Sequence, residues 1–146
     1  MATIDEIRKA RLAKLKVLKK AGILAYPGEL KRTNTAKEAV DRFLQLSRAK
    51  KEIIVTGRIR AIRGHGGSTF ISLEDGTGTI QAYIKKDGIG EKPYKIFIDA
   101  FDVGDFAQVR GTLFKTKAGE KTIQVVDFKM LTKSLLPLPD KWHGLQ

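Results

Sequence analysis

The chain of 146 residues contains no cysteine and no long apolar run. Without cysteine it can form neither a disulfide nor a thiolate metal site, and this absence fits a reducing compartment. No stretch of about 18 apolar residues is present, so no transmembrane helix is predicted. The opening residues MATIDEIRKARL also lack the apolar core of a signal peptide. We therefore expect a protein that works in the cytoplasm and does not bind membranes.

Acidic residues are scarce relative to basic ones, and the net charge is +12. Residues 1–51 hold 14 basic and 5 acidic residues, whereas the rest of the chain holds 14 and 11. Such a basic segment indicates a polyanionic partner, most often nucleic acid. A membrane surface is less favoured, because the basic stretch over residues 4–20 has no Trp or Phe anchor. A basic surface that serves only solubility is the remaining alternative.

Two stretches in the first fifty residues predict helices. Residues 4–20 repeat apolar side chains with a period of 3.6 and are basic elsewhere, which is typical of an amphipathic helix. A second helix is predicted over residues 35–49. There Thr35 and Glu38 have the spacing of a capping box, in which each side chain satisfies the other's backbone N–H.

From Lys51 onward the hydrophobic period changes to two and predicts five strands. A short helix between Pro93 and Asp102 separates the third strand from the fourth. This order is that of an OB-fold, a small and partly open Greek-key barrel. Gly57 and Gly111 lie where long strands must bend in such a barrel. An SH3-like barrel is the alternative, but the intervening helix argues against it. The predicted fold is mainly β with added α, a five-stranded OB-fold preceded by an N-terminal helical extension.

The segment GSTFISLEDGTGTIQAYI predicts a hairpin that turns at Asp75 and Gly76. A two-residue turn pairs Phe70 with Gln81, and a four-residue turn pairs Phe70 with Tyr83. Both registers place Phe70 and Gln81 on the outer, polar face. An exposed ring can stack on a nucleotide base, and an amide can read the edge of that base. The alternative is that Phe70 packs beneath the N-terminal helices.

Charged residues near this face are further candidates for the site. Arg58 and Arg63 supply positive charge for phosphates or for a base carbonyl. Glu120, in the turn between strands four and five, either serves the turn alone or accepts a base N–H. His65 and His143 are distant from each other, so no metal site is predicted. No nucleophile and base have convincing spacing, so no catalytic residue is predicted.

Over almost its full length the chain resembles the N-terminal, anticodon-binding region of class II lysyl-tRNA synthetases. The matching segments include RLAKLKVLKKAGILAYP, VTGRIRAIRGHGGSTFISLEDGTGTIQAYI, GTLFKTKAGE and LLPLPDKWHGL. The last two, in this order, are quite specific. Aspartyl and asparaginyl enzymes share the barrel and usually lack them. Gly66 and Gly67, however, stand where lysyl enzymes commonly have Gly-Lys, and this stretch is closer to the aspartyl and asparaginyl barrels.

The resemblance implies a role for each outward residue. Phe70 would stack on an anticodon base, and Gln81 would hydrogen-bond to it. Arg63 and Glu120 match family residues in loops beside the same site. The implied partner is tRNA, and the lysine anticodon is rich in uridine. We expect basic side chains of the first helix to contact the tRNA backbone, namely Arg8, Arg11, Lys16, Lys19 and Lys20.

The resemblance also implies three parts, a basic helical extension (residues 1–50), the anticodon-binding barrel (51–133) and a linker to an absent catalytic domain (134–146). The parent enzyme would be a homodimer that uses ATP and Mg²⁺ to attach lysine to its tRNA. This chain alone is expected to hold no cofactor and to be inactive. The alternatives are an aspartyl or asparaginyl type of anticodon-binding domain, a stand-alone single-strand binder and a protein-interaction module.

Overall fold

A computed structural model describes residues 3–24 and 32–135 of the chain. The predicted linker therefore lies outside the described residues apart from its first two. No helix within the described part is both long enough and apolar enough to cross a bilayer. The elements in chain order are α1 (Ile4–Lys20), α2 (Ala36–Asp41), α3 (Phe43–Arg48), β1 (Ile53–His65), β2 (Ser68–Glu74), β3 (Thr79–Lys85), α4 (Lys86–Ile89), α5 (Glu91–Ala100), β4 (Phe106–Lys115) and β5 (Lys121–Thr132).

The five strands form a closed barrel in the order β1-β2-β3-β5-β4, and β4 pairs back onto β1. All pairings are antiparallel except that between β3 and β5, which is parallel. The predicted OB-fold is confirmed, with α4 and α5 between the third and fourth strands. The parallel ladder between β3 and β5 closes the barrel. Its residue pairs are Gln81 with Thr122, Ala82 with Ile123 and Tyr83 with Gln124.

The hairpin of β2 and β3 has the register of the four-residue turn. Phe70 lies opposite Tyr83, so the alternative pairing with Gln81 is wrong. The Asp75 carboxylate accepts hydrogen bonds from the backbone N–H of Thr77 at 3.0 Å and from its hydroxyl at 2.6 Å. The N–H of Asp75 donates to the carbonyl of Gly78 at 3.3 Å. These contacts satisfy polar groups within the four-residue turn. A two-residue turn does not have these contacts.

The barrel interior and the helices share one hydrophobic core. Alternation along β2 and β3 buries every second side chain, as the sequence pattern predicts. Leu18 of α1 and Phe43 of α3 belong to the same core. The N-terminal extension therefore packs on the barrel. The hairpin residues that face the barrel interior, all buried, are Ile71, Leu73, Ile80, Ala82 and Ile84.

The second predicted helix, residues 35–49, is divided into α2 and α3. The capping box of Thr35 and Glu38 is present at the start of α2. At Arg42 the backbone leaves helical geometry, with φ −100° and ψ 20°. This irregularity separates two short apolar faces. Helix α2 packs against β3, and α3 packs against β4, so one straight helix over residues 35–49 is wrong.

A buried ionic cluster holds α1 against the barrel. Lys133 donates to both Asp102 and Asp105 at 2.6 Å, and Asp105 is fully buried. From α1, Lys14 donates to Asp102 at 2.9 Å, and Arg11 lies 3.8 Å from the same carboxylate. Burial alone would raise the pKa of Asp102, but hydrogen bonds from Lys133 and Lys14 outweigh it and lower the pKa. Burial raises the pKa of Asp105 despite the hydrogen bond from Lys133.

The sequence predicts a bend at Gly111, and this residue does lie at an irregularity of the β4–β5 pairing. A Cβ there would overlap the backbone carbonyl of Gln124 on β5. We expect Gly111→Ala to lower the free energy of unfolding by about 3 kcal/mol, because backbone must move to admit the methyl group. Denaturant unfolding measures this change. In the control Gly67→Ala, the nearest atom would be Lys86 Cβ at 3.6 Å, so a comparable loss would contradict the explanation.

Asp75 makes the fold sensitive to acid at the start of α2. Its carboxylate also accepts the backbone N–H of Ala36 at 2.8 Å. Burial alone would raise the pKa of Asp75, but hydrogen bonds from Thr77 and Ala36 outweigh it and lower the pKa. The folded pKa lies below the unfolded one, so this stabilisation is present above about pH 3.9 and is lost as the pH falls through the folded pKa.

We therefore expect Asp75→Asn to destabilise the chain at pH 7 and to have a progressively smaller effect as the pH falls through the folded pKa of Asp75. Thermal unfolding of both proteins across this range measures the difference. An NMR titration of the Asp75 carboxyl in the unsubstituted chain is the direct check. A midpoint at or above the usual value for aspartate would contradict the interpretation.

Candidate nucleic-acid interface

Three aromatic rings form a row on the outer face of the barrel. The ring centroids of Phe70 on β2 and Tyr83 on β3 are 4.6 Å apart, with an interplanar angle of 35°. Tyr83 meets Phe114 on β4 edge to face, with centroids 6.1 Å apart. All three side chains are half-buried. Phe70 therefore lies on the outer face as predicted, supported by Tyr83 and not sealed beneath the N-terminal helices.

Arg63 lies beside this row because the β1–β2 register places it opposite Phe70. Its guanidinium Nη2 donates to Gln81 Oε1 at 3.1 Å. The Gln81 Nε2 in turn donates to the hydroxyl of Thr122 at 3.0 Å. The Thr122 hydroxyl donates to the backbone carbonyl of Glu120 at 3.1 Å. We call these four residues, from Arg63 to Glu120, the polar chain.

The turn between β4 and β5 holds Glu120 in place through its backbone. The carbonyl of Glu120 accepts the N–H of Thr116 at 3.0 Å, and its N–H donates to the Thr116 hydroxyl at 3.1 Å. Gly119 has a φ of 88°, a conformation that glycine adopts without the strain of a side chain. The Glu120 side chain is exposed. Its carboxylate can therefore accept an N–H from a ligand while the backbone stays fixed.

The polar chain borders an open groove of about 460 Å³. Three of the predicted site residues line it, namely Arg63, Gln81 and Glu120. Val40 of α2 and Lys121 of β5 also line it, and the Lys121 ammonium donates to the Val40 carbonyl at 3.2 Å. The groove thus offers cationic donors, a carboxylate acceptor and an amide next to a stacking ring. That combination fits an unpaired nucleotide.

Arg58 is predicted for the same site, but the structure places it elsewhere. Its guanidinium carbon lies 4.6 Å from the ring centroid of Phe106, a cation–π contact. It lines a different groove, of about 370 Å³, together with Arg32 and Arg60. In the β1–β2 register Arg58 lies opposite Glu74, at the end of β2 away from Phe70. The structure therefore does not bring Arg58 to the polar chain.

The basic residues of α1 divide into two groups. Arg11 is drawn toward the barrel, where its guanidinium contacts Asp102 and donates to the Ser134 carbonyl at 3.3 Å. Its side chain is only 14% exposed. The other predicted contact residues are exposed and free of the Asp102 cluster, so their charges face solvent. They are Arg8, Lys16, Lys19 and Lys20.

Sequence reasoning missed two residues of this surface, Phe114 and Thr122. Alternation along β4 and β5 marks Phe114 as outward, but it gives no sign that its ring reaches Tyr83. Thr122 is fully buried and joins the polar chain only because β5 pairs with β3. Tyr83 lies on the outer face because the strand alternates, and its contact with Phe70 follows from the four-residue turn.

A family model described as an OB-fold nucleic acid binding domain, the tRNA anti-codon family, matches residues 53–131, more than half of the chain. Among curated relatives, a lysine--tRNA ligase of Carboxydothermus hydrogenoformans is 46% identical over 97% of this chain and 28% of its own length. Lysine--tRNA ligases of Pelotomaculum thermopropionicum and Thermotoga maritima are 41% and 37% identical over 98% of this chain.

The chain spans less than a third of the length of these relatives, 28% and 29% of the last two. Its described strands coincide with the matched region, which begins at the first residue of β1 and ends within β5. The closed barrel, its order of elements and the match over residues 53–131 lead to one conclusion. The chain belongs to the family of OB-fold nucleic acid binding domains.

Proposed function

We propose that this chain is the anticodon-binding domain of a lysine--tRNA ligase. The observation that supports this most directly is the convergence of Arg63, Gln81 and Glu120 on one groove beside the Phe70 ring. The relatives that match 97% or more of the chain support the identity of the amino acid. The departure at Gly66 and Gly67 favours the aspartyl or asparaginyl type as the second candidate.

The residues of the groove have the chemistry that uridine needs. A pyrimidine ring stacked on Phe70 would gain contact on a face that water otherwise covers. Uracil presents two carbonyl acceptors and one N–H donor on its pairing edge. Arg63 has only donors and would meet a carbonyl, whereas Gln81 or Glu120 would accept the N–H. The exposed cations of α1 would contact the phosphate backbone, which adds affinity without reading sequence.

The remaining properties of the parent enzyme belong to the same proposal. It would act in the cytoplasm as a homodimer and use ATP and Mg²⁺ to attach lysine to tRNA. Within the described residues no cluster of three or more metal-ligating side chains is present. The chemistry, with the ATP and Mg²⁺ that it needs, would take place on residues of the parent enzyme outside this chain. The proposed division into residues 1–50, 51–133 and 134–146 follows the same scheme.

Binding to a stem-loop with the anticodon UUU tests the proposal. We expect tighter binding than to a loop of equal length with the sequence scrambled, and affinity that falls steeply with salt. Phe70→Ala should weaken UUU binding by about 1–3 kcal/mol because the stacking platform is lost. Fluorescence anisotropy measures these affinities. Ile98→Ala, an apolar truncation at an exposed position of α5, is the control that should bind normally.

Three outcomes would contradict the proposal or part of it. Equal affinity for UUU and scrambled loops would indicate a sequence-tolerant single-strand binder. A preference for the aspartate anticodon GUC over UUU would indicate the second candidate. Unchanged UUU affinity in Phe70→Ala would remove the stacking site from either version.

The two arginines should differ in what they contribute. We expect Arg63→Ala to lower the preference for UUU over a scrambled loop about tenfold, because a charged donor to the base is lost. Arg58→Ala should weaken both loops about equally, because its charge lies outside the groove and acts on phosphates. Parallel titrations of both variants measure the two ratios. Equal loss of preference in both variants would contradict this assignment.

A further inference from the structure

We propose that Thr122 is a positioning residue that fixes the orientation of the Gln81 amide, and that this orientation makes the groove accept uracil and reject cytosine. The inference rests on the proposed function, since it concerns how the same groove distinguishes two pyrimidines. Thr122 is fully buried and would not touch the base, so it would affect recognition of the base only through Gln81.

The direction of every hydrogen bond in the polar chain is determined by chemistry. A guanidinium has donors only, so the atom of Gln81 that faces Arg63 at 3.1 Å must be the carbonyl oxygen. At the other end, the Glu120 carbonyl has acceptors only, so the Thr122 hydroxyl must donate to it. The lone pairs of that hydroxyl are then left for Gln81 Nε2. The amide is held at both ends, and a rotation by 180° would break both contacts.

The position of Thr122 makes this restraint rigid. It is fully buried, and it lies opposite Gln81 in the parallel ladder that closes the barrel. A β-branched side chain has few χ1 rotamers, so the position of the hydroxyl oxygen varies little. Because no water reaches a buried hydroxyl from outside, loss of the hydroxyl would leave Gln81 Nε2 without this partner.

The fixed amide presents an ordered set of hydrogen-bonding groups. From Arg63 outward the order is donor, acceptor and donor, supplied by the guanidinium, by Gln81 Oε1 and by Gln81 Nε2. Gln81 Oε1 and Nε2 each use one hydrogen-bonding position within the polar chain, and each keeps one further position for a ligand. The pairing edge of uracil reads acceptor, donor and acceptor through O4, N3–H and O2. The two sets are complementary in all three places.

Cytosine fails in this arrangement and fits the opposite one. Its edge reads donor, acceptor and acceptor through the N4 amine, N3 and O2. With the observed amide, whichever way the base is turned, N3 would face the acceptor Gln81 Oε1. With a rotated amide, the order from Arg63 becomes donor, donor and acceptor, which complements cytosine read from O2. The orientation of one amide therefore decides between the two bases, and Thr122 holds that orientation.

The test compares stem-loops that differ only in the anticodon, UUU or CCC, with the 146-residue chain and three variants. Thr122→Val keeps the shape and removes the hydroxyl. We expect it to lower the UUU-to-CCC affinity ratio about fivefold, the value of one net hydrogen bond. Thr122→Ser keeps the hydroxyl and should keep the ratio. Thr132→Val, the same change at the exposed far end of β5, should also keep it.

A direct measurement applies even if Thr122→Val does not fold. In the unsubstituted chain, NMR should detect contacts between the Gln81 side-chain amide protons and the Thr122 side chain, and a single ordered amide. Absence of these contacts would overturn the inference. So would an unchanged affinity ratio in folded Thr122→Val, or an equal loss in Thr122→Val and Thr122→Ser.

The proposed function and this inference fail in different ways. If the unsubstituted chain does not prefer UUU, the proposed function is wrong and the inference falls with it. If the unsubstituted chain prefers UUU and folded Thr122→Val does so equally, the inference alone is wrong. If the ratio drops in Thr122→Val and is restored in Thr122→Ser, both are supported.

Discussion

The short parallel ladder between β3 and β5 is the constraint on which the candidate site depends. It consists of three residue pairs, and it joins strands that are separated in the chain by α4, α5 and β4. Such pairing costs considerable chain entropy, because a long loop must close before any of its hydrogen bonds form. The barrel interior offsets that cost through the burial of apolar side chains from both strands, including Ala82 and Ile123. Without this closure Gln81 and Thr122 would not meet.

Local patterns in the sequence were sufficient for the parts of the site that lie on one hairpin. The alternation of β2 and β3 correctly placed Phe70 and Gln81 outward, since a strand has a period of two. The choice between two turn registers needed the side chain of Asp75, whose hydrogen bonds to Thr77 stabilise the wider turn. Side-chain chemistry in a turn, and not hydrophobic pattern, decided that detail.

Residues brought in by long-range pairing could not be predicted in the same way. Thr122 and Phe114 follow ordinary strand patterns, and nothing local marks them as neighbours of Gln81 and Tyr83. Arg11 is the opposite case. Its charge resembles that of the other cations of α1 and predicts a contact with the tRNA backbone, but its side chain contacts Asp102. A count of basic residues treats them all alike. A carboxylate on another element determines which of these basic side chains remain available to a ligand.

The contacts of α2 have a consequence for how such a domain can be exchanged between proteins. Its first N–H group donates to Asp75 of the β2–β3 turn, and its Val40 carbonyl accepts from Lys121 of β5. One short helix is thus fastened both to the β2–β3 turn and to β5, and its Val40 lines the candidate groove. A hybrid with this barrel and helices from another protein would keep the Phe70 ring and the Gln81 amide. The rim of its groove would differ, because α2 would be replaced. The unit that must be transferred to keep the groove intact therefore includes α2 as well as the strands that line it.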